Sequence, residues 1–469
     1  MSVILVTCSL TVLLLAFHKY VLAPLSASPL SKIPKAHWSA GWFTAWINFK
    51  RWTGGAATKA ISTAHQQYGP VVQLAPEEVS VNTPDALRTI YIGGFEKDTL
   101  YLYLTSYGQP NMVSMLDNKS HSARKRIVSG VYSKSHLQTS CDMEAISREV
   151  IYDRLLPQLN TVAQKDKDTN VFSILQGVAM DFISNFLFGL QHGTDFTRHS
   201  GDRDWWLSQF KKSKVNPPKE RLGGEIESWC LKIVDAVRPH EQSLSLDGSE
   251  MSSQPVVWQR LRDGIKGTSS TDIGEDATKL SIASECLDHI IAGHETTGIT
   301  LTYLMYEFSK RSAMQNRLRN ELLALSPQIK YTTQSPKSPA REQRLPSPAA
   351  LDKLPLLNSI IQETLRLYAA APAQQARVTP HRPDGLTLEG YTNIPGGISV
   401  SANAYSLHRN PEVFPEPERW IPERWLDASA ERQKEMKRWF WAFGSGSRMC
   451  LGKHFALQGI EPFTINIVG

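Results

Sequence analysis

Cys450 is the residue with the clearest chemical potential in this chain. It lies in Phe443-Gly444-Ser445-Gly446-Ser447-Arg448-Met449-Cys450-Leu451-Gly452, directly before a helix-competent run from Lys453 to Leu457. Glycines let a backbone turn tightly and approach a flat ligand. A helix N-terminus points N–H groups and a partial positive charge at whatever precedes it, which favours a thiolate. A thiolate binds soft metals, haem iron among them, and Arg448 is placed to pair with an anionic group of such a ligand. The loop alone is equally consistent with a buried structural cysteine.

Three further stretches carry chemistry-bearing spacing. Ala292-Gly293-His294-Glu295-Thr296-Thr297 falls in the middle of an apolar helical period, although Gly and paired Thr are poor mid-helix residues. A Thr hydroxyl can take the i−4 carbonyl and open the ladder, and an acid beside an alcohol relays protons. A helix kinked for packing has the same composition. His121 and Lys125 are four apart in the basic run His121-Ser122-Ala123-Arg124-Lys125-Arg126, hence on one helical face, which is also what a solvated face looks like. Glu363 and Arg366 stand one turn apart, a spacing most often found in surface pairs.

The spacing Phe443-x-x-Gly446-x-Arg448-x-Cys450-x-Gly452 resembles the cysteine-ligand loop of the cytochrome P450 family, the haem-thiolate monooxygenases. The other three stretches resemble segments of that family in the same order, so the resemblance runs from about Pro29 to Leu457. It implies haem b with Cys450 as the axial iron ligand and His121, Lys125, Arg377, Phe443 and Arg448 as cofactor-binding residues. It makes Glu295 and Thr296 the catalytic acid and alcohol. It implies a buried triad of Glu363, Arg366 and Arg424 with a structural role. Leu100 to Met115 and Phe188 to Pro218, with Trp205, Trp206 and Phe210, would line a substrate entrance, although their aromatic content equally fits a core. The implied reaction inserts one atom of O2 into a lipophilic organic substrate. Electrons come from NADPH through a reductase, since the chain has no Gly-x-Gly-x-x-Gly fingerprint of its own. The fungal-like Pro29-Leu30-Ser31-Lys32-Ile33-Pro34 hinge points to secondary metabolism. Two other outcomes remain open: an isomerase or dehydratase that does not use O2, and a haem-binding protein with little catalysis.

The elements that must position these residues read as mainly α with small β-sheets. Ser173 to Leu190 and Thr278 to Lys310 have helical period; Val71–Leu74 and Val79–Val81 flank a turn and read as a hairpin. Val3–Phe17 is largely apolar, with no Lys or Arg before it and Lys19, Lys32 and Lys35 after it, which predicts that residues 1–23 are a single-pass anchor in the endoplasmic reticulum membrane with the remainder in the cytosol; a cleaved signal peptide is the alternative. Residues 24–36 form a proline-rich linker, 37–469 the haem domain, and 335–348 a disordered Ser/Pro-rich loop within it. Net charge is +6, from 51 basic and 45 acidic residues, too mild for nucleic acid. Five widely spaced cysteines argue against disulfides and zinc. After the cysteine, Gly459 and Pro462 predict an early helix stop, with Phe463–Val468 as a lone short strand. On that reading the strand region that closes the family's C-terminus is missing, and a poorly stable, haem-poor or inactive chain is expected.

Overall fold

The computed structural model describes residues 2–17, 29–164, 168–215, 224–244, 254–268, 274–325 and 346–468. Most of the predicted 335–348 loop, the end of the predicted anchor and the start of the linker lie outside the described residues. The chain forms two compact units, the first made of Met1–Asp98, Pro372–Pro417 and Lys434–Arg448, the second of Thr99–Ala371, Glu418–Gln433 and Met449–Gly469.

The first unit holds the sheets. It begins with helix α1 (Ser2–Phe17), followed by α2 (Ala45–Trp52) and α3 (Ala56–Tyr68). Strands β1 (Val71–Ala75) and β2 (Glu78–Val81) are the expected antiparallel hairpin. Gly69 turns the chain out of α3 with φ of 98°, a left-handed value that favours glycine. Strands β3 (Arg377–Val378), β4 (Leu386–Leu388), β5 (Tyr391–Ile394) and β6 (Ser399–Ser401) follow. The larger sheet has order β1-β2-β6-β3, with β2 and β6 parallel, and β4 pairs with β5 separately. The end of the proline-rich linker lies along β1: the Ala36 N–H donates to the Gln73 carbonyl at 2.9 Å, and the Gln73 N–H to that of Pro34 at 2.8 Å. Ile47, Ile61, Val72 and Leu74 form the core beneath this sheet.

The second unit is helical. Its framework is α4 (Asn118–Ser129), α5 (Val171–Phe188), α6 (Ser200–Val215), α7 (Glu225–Leu244), α8 (Glu275–Ser309), α9 (Pro355–Leu367), α10 (Glu423–Leu426) and α11 (Lys453–Val468). Helix α5 is apolar and long enough to cross a membrane, yet it is 83% buried and is a core helix of this unit. It packs along α8 at two glycines. A Cβ at Gly293 would sit 2.8 Å from Ile183 Cγ1, and one at Gly298 would sit 2.6 Å from Gln176 Nε2.

The C-terminal segment departs from expectation. The predicted stop at Pro462 and the lone strand over Phe463–Val468 are both replaced by one helix, α11, that continues through the proline. Proline inside a helix costs about 3 kcal/mol. Ile460, Phe463 and Ile465 are buried here, each contributing roughly 1.5–3 kcal/mol. Two side chains also donate to helix carbonyls: Thr464 Oγ1 to Ile460 O and Asn466 Nδ2 to Pro462 O, each at 2.7 Å. Tertiary burial overrides the local signal.

Candidate active site

Cys450 ends the loop that leads into α11. The backbone N–H groups of Gly452 and Lys453 are hydrogen-bonded to its sulfur, and the charges of Lys125 and Lys453 lie nearby. Gly452 stands at the helix entry, where its carbonyl accepts from the Ala456 N–H at 2.8 Å. Lys125 reaches the same loop from α4, donating from Nζ to the Met449 carbonyl at 3.1 Å. Cys450 is nonetheless exposed, so this nest of donors is open on one side. Burial by neighbouring atoms pushes the thiol up, and the N–H groups and lysines, which pull it down, do not fully offset that.

On α4, the side chain of Asp117 caps the helix by accepting from the Ser120 N–H at 2.7 Å. His121 is buried and lies one turn before Lys125, on the same face. Arg124, between them, is not a solvated residue. It donates to Glu285 Oε1 at 2.9 Å and to Ser281 Oγ at 3.2 Å on α8. The other Glu285 oxygen accepts from the Met112 N–H at 3.3 Å. Burial drives the Glu285 carboxyl up to about 8 despite Arg124. Nothing in the sequence spacing points to this pair, whose members are 161 residues apart.

Helix α8 carries the predicted acid and alcohol. The Thr296 hydroxyl donates to the Ala292 carbonyl at 2.7 Å, as its position suggests. The helix nevertheless stays unbroken, so the expected opening of the ladder does not occur. The hydroxyl adds a bond to the carbonyl without displacing the helix. Gln176 Nε2 donates to the Glu295 carbonyl at 3.5 Å from α5.

His294, between Gly293 and Glu295, is buried against α6. Its ring meets Trp206 edge-on at 4.4 Å and Phe210 at 4.9 Å, and Trp206 in turn meets Trp229 of α7 at 6.0 Å. Family analogy puts Trp206 and Phe210 at a substrate entrance, and their aromatic content equally allows the core. They are core residues that brace the segment bearing Glu295 and Thr296, because large aromatics gain most from full burial. Trp205, by contrast, is exposed. Residues 216–218 of that stretch lie outside the described residues.

A second link joins α8 to the cysteine helix. Tyr132 shares a hydrogen bond of 2.9 Å with His289 Nδ1 and meets Phe455 of α11 edge-on at 6.2 Å. Phe455 stacks on Phe186 of α5 at 4.7 Å. Burial drives the His289 imidazole down to about 4, so it is neutral at pH 7.

The structure brings Glu363, Arg366 and Arg424 together with no exposure at the first two. Arg366 forks onto the carboxylate, Nε to Oε2 at 2.9 Å and Nη2 to Oε1 at 2.8 Å. Arg424 Nε adds a bond of 3.0 Å, the Ile421 N–H one of 2.9 Å and Trp425 Nε1 one of 2.9 Å. Burial alone would raise this carboxyl, but the Arg366 hydrogen bonds and the two guanidinium charges hold it below its ordinary value. The tryptophan donor follows Arg424 directly and is the member that sequence reasoning missed.

In the first unit, Arg377 is buried on β3 and not on the surface. Its guanidinium lies 5.0 Å over the Tyr91 ring and donates to the Ala376 carbonyl at 2.8 Å. Tyr91 also packs on Trp441 at 4.7 Å. Gly446 has φ of 72°, and a Cβ there would fall inside van der Waals contact with the Tyr91 carbonyl oxygen. The turn Gly446–Arg448 therefore needs its glycine twice over, for its dihedral and for close approach. Phe443 and Arg448 are half-buried in this segment. Tyr91, which ties Arg377 to the loop, carries no motif of its own.

These features fit a haem-thiolate site: a soft donor on an open face, N–H groups aimed at it, cations nearby and a tight glycine turn before it. The family model described as cytochrome P450 matches residues 232–468. The chain is 28% identical over 423 residues to cytochrome P450 monooxygenase avaI of Aspergillus versicolor, covering 86% of this chain and 95% of that one. It is 27% identical over 459 residues to cytochrome P450 monooxygenase orf2 of Aspergillus niger, covering 93% and 85%. Cytochrome P450 monooxygenase BOT1 of Botryotinia fuckeliana is 26% identical over 459 residues, covering 91% and 82%. A cysteine nest of this form, on a mostly helical chain that matches the family over half its length, makes this protein a member of the cytochrome P450 family and a monooxygenase of fungal type.

Proposed function

We propose that this enzyme hydroxylates or otherwise oxygenates a lipophilic metabolite at a haem b held by Cys450, with electrons drawn from NADPH through a membrane-bound reductase. The observation that carries the site assignment is the Cys450 sulfur with the Gly452 and Lys453 N–H groups bonded to it and Lys125 beside it. The overall balance is RH + O2 + NADPH + H+ → ROH + H2O + NADP+. When bound, haem supplies O2 binding and reductive O–O cleavage. The chain's own residues do the rest. The N–H groups fix the sulfur and stabilise its negative charge. Lys125, His121, Arg377 and Arg448 would hold the two propionates, and Phe443 would pack against the macrocycle. Glu295 and the Thr296 hydroxyl would hold and deliver the protons that water formation consumes. His294, clamped by Trp206 and Phe210, would fix their orientation.

Localisation is part of the same proposal. Leu10, Val12, Leu14, Leu15 and Phe17 of α1 are exposed, an arrangement that water disfavours and a bilayer accepts. Helix α1 would anchor the enzyme in the endoplasmic reticulum membrane, on the cytosolic side where the reductase works. The relatives' fungal origin supports a role in secondary metabolism.

The test screens lipophilic compounds for those that shift the Soret band, then supplies reductase, NADPH and 18O2. Product carrying one labelled oxygen is expected. Binders that return only peroxide, or isomerised product without label, would overturn the oxygenation reading.

A further inference from the structure

His408 is a fully buried histidine of the first unit that the site described above does not use. It closes the short helix Ala404–Leu407, which follows β6. Both ends of that helix are fixed. Asn403 Oδ1 accepts from the Ser406 N–H at 2.8 Å, and the His408 N–H donates to the Ala404 carbonyl at 2.9 Å. The imidazole lies flat on the Phe440 ring, with centroids 5.3 Å apart and planes 10° apart. Its Nε2 accepts from the Trp441 backbone N–H at 2.8 Å. That bond requires the lone pair on Nε2 and the ring proton on Nδ1.

The bond falls where the chain turns from a helix into the cysteine loop. At the end of the helix Ala430–Trp439, the Phe440 N–H still reaches back four residues, to the Met436 carbonyl at 2.9 Å. One more helical step would aim the Trp441 N–H at Lys437. His408 takes it instead, and the helix ends. From there Trp441 is the reference point of the loop. Its carbonyl accepts from the Gly444 N–H at 3.1 Å, its indole Nε1 donates to Ser445 Oγ at 2.9 Å, and its ring packs on Tyr91. Tyr91 is fixed in turn: its hydroxyl donates to the Gln375 carbonyl at 2.6 Å and accepts from the Ala402 N–H at 2.8 Å. The Tyr91 carbonyl backs Gly446, where the turn before Cys450 begins.

We infer that His408 is a positioning residue for the cysteine ligand. By accepting the Trp441 N–H it sets where the chain enters the loop, and so how the Cys450 sulfur is presented. The side chain suits the task. It has two torsions to fix, the stack on Phe440 fixes its plane, and the acceptor stands at its tip. Without that acceptor the buried Trp441 N–H is left unpaired or turns back towards the helix, and the loop entry shifts with it. This role rests on Cys450 being the haem ligand.

The test separates the acceptor from the packing, in the full haem-loaded chain. His408→Gln keeps an acceptor near the place of Nε2 and gives up the ring. His408→Phe keeps the ring on Phe440 and gives up the acceptor. The readout is the ratio of red-shifted to unshifted Soret band in the ferrous–CO form, at a temperature where both variants have the parent's circular dichroism. His408→Gln is expected to stay near the parent, and His408→Phe to lower the ratio roughly tenfold, as leaving one buried N–H unpaired would. Hydrogen exchange over residues 440–446 should rise in His408→Phe and not in His408→Gln. A histidine that only fills space gives the opposite order, with His408→Phe at the parent ratio and His408→Gln below it; that order, or equal ratios in the two variants, overturns the inference and leaves Cys450 as the ligand. If His408→Phe takes up too little haem for a spectrum, His408→Leu takes its place under the same criteria. A parent that contains haem but shows no red-shifted band overturns the ligand assignment and the role of His408 together.

Discussion

Glu363→Gln should destabilise this protein more than almost any other single isosteric change. The carboxylate is fully buried and receives bonds from Arg366 twice, Arg424, Ile421 and Trp425. An amide keeps the shape but removes the charge, and it turns one acceptor into a donor facing donors. Two guanidinium groups are then left without a counter-charge, one fully buried and the other nearly so. Breaking a buried ion pair in this way costs about 3–5 kcal/mol. Unfolding entropy near 2.1 cal/mol/K per residue over 469 residues gives roughly 1 kcal/mol per kelvin, so the thermal midpoint should fall by about 3–5 °C. The assay is the midpoint of the haem-loaded protein by circular dichroism, at fixed scan rate. The pH dependence checks the cause. Glu363 has a depressed pKa in the folded state, so its contribution is present above the unfolded value and is lost as pH falls through the folded one. The gap between parent and variant should therefore close in acid. A midpoint within about 1 °C of the parent at pH 7 would mean that this carboxylate does not hold the two arginines, and the structural role assigned to the triad would fail.

Thr296→Ala should keep haem and substrate binding but divert reducing equivalents to peroxide or water, read as product per NADPH; an unchanged ratio removes Thr296 from proton delivery. Gly298→Ala brings a Cβ to 2.6 Å from Gln176 Nε2 and 3.1 Å from its Cα, and should lower stability by about 1–3 kcal/mol in a denaturant titration; no loss would mean that α5 and α8 are not in close contact. Glu461 is buried on α11 and its carboxyl is raised to about 8 by burial and by Asp352, against the pull of Lys134. Such a group binds its proton more readily folded than unfolded, so stability falls as pH rises from its ordinary range to about 8. Glu461→Gln should flatten that part of the profile and be more stable than the parent at pH 8; parallel profiles would show that the carboxyl is not buried as described.

The parts of the site legible in the sequence are those carried by short contiguous spacing. Cys450 between its glycines, Glu295 beside Thr296, and the Glu363–Arg366 pair each fit within one turn or one loop, where local chemistry is read directly. What the sequence hid is long-range. Arg124 looked like one more cation on a solvated face until α8 placed Glu285 against it. Trp206 and Phe210 could be entrance or core residues by sequence, because aromatic content does not say which side of a helix meets the core; their packing on His294 shows them buried. Pro462 carried a strong local stop signal that the burial of Ile460, Phe463 and Ile465 outweighed. Tyr91, which brings Arg377 and Gly446 together, has no signal at all without the fold.

The central claim is that the Cys450 sulfur is the axial ligand of a haem. The measurement that tests it most directly is the Soret band of the ferrous–CO form of the full chain and of Cys450→Ser. The account predicts a strongly red-shifted, thiolate-type band in the parent and its complete loss in the variant. A variant that keeps the red-shifted band, or a parent that never shows it although it contains haem, would contradict the account.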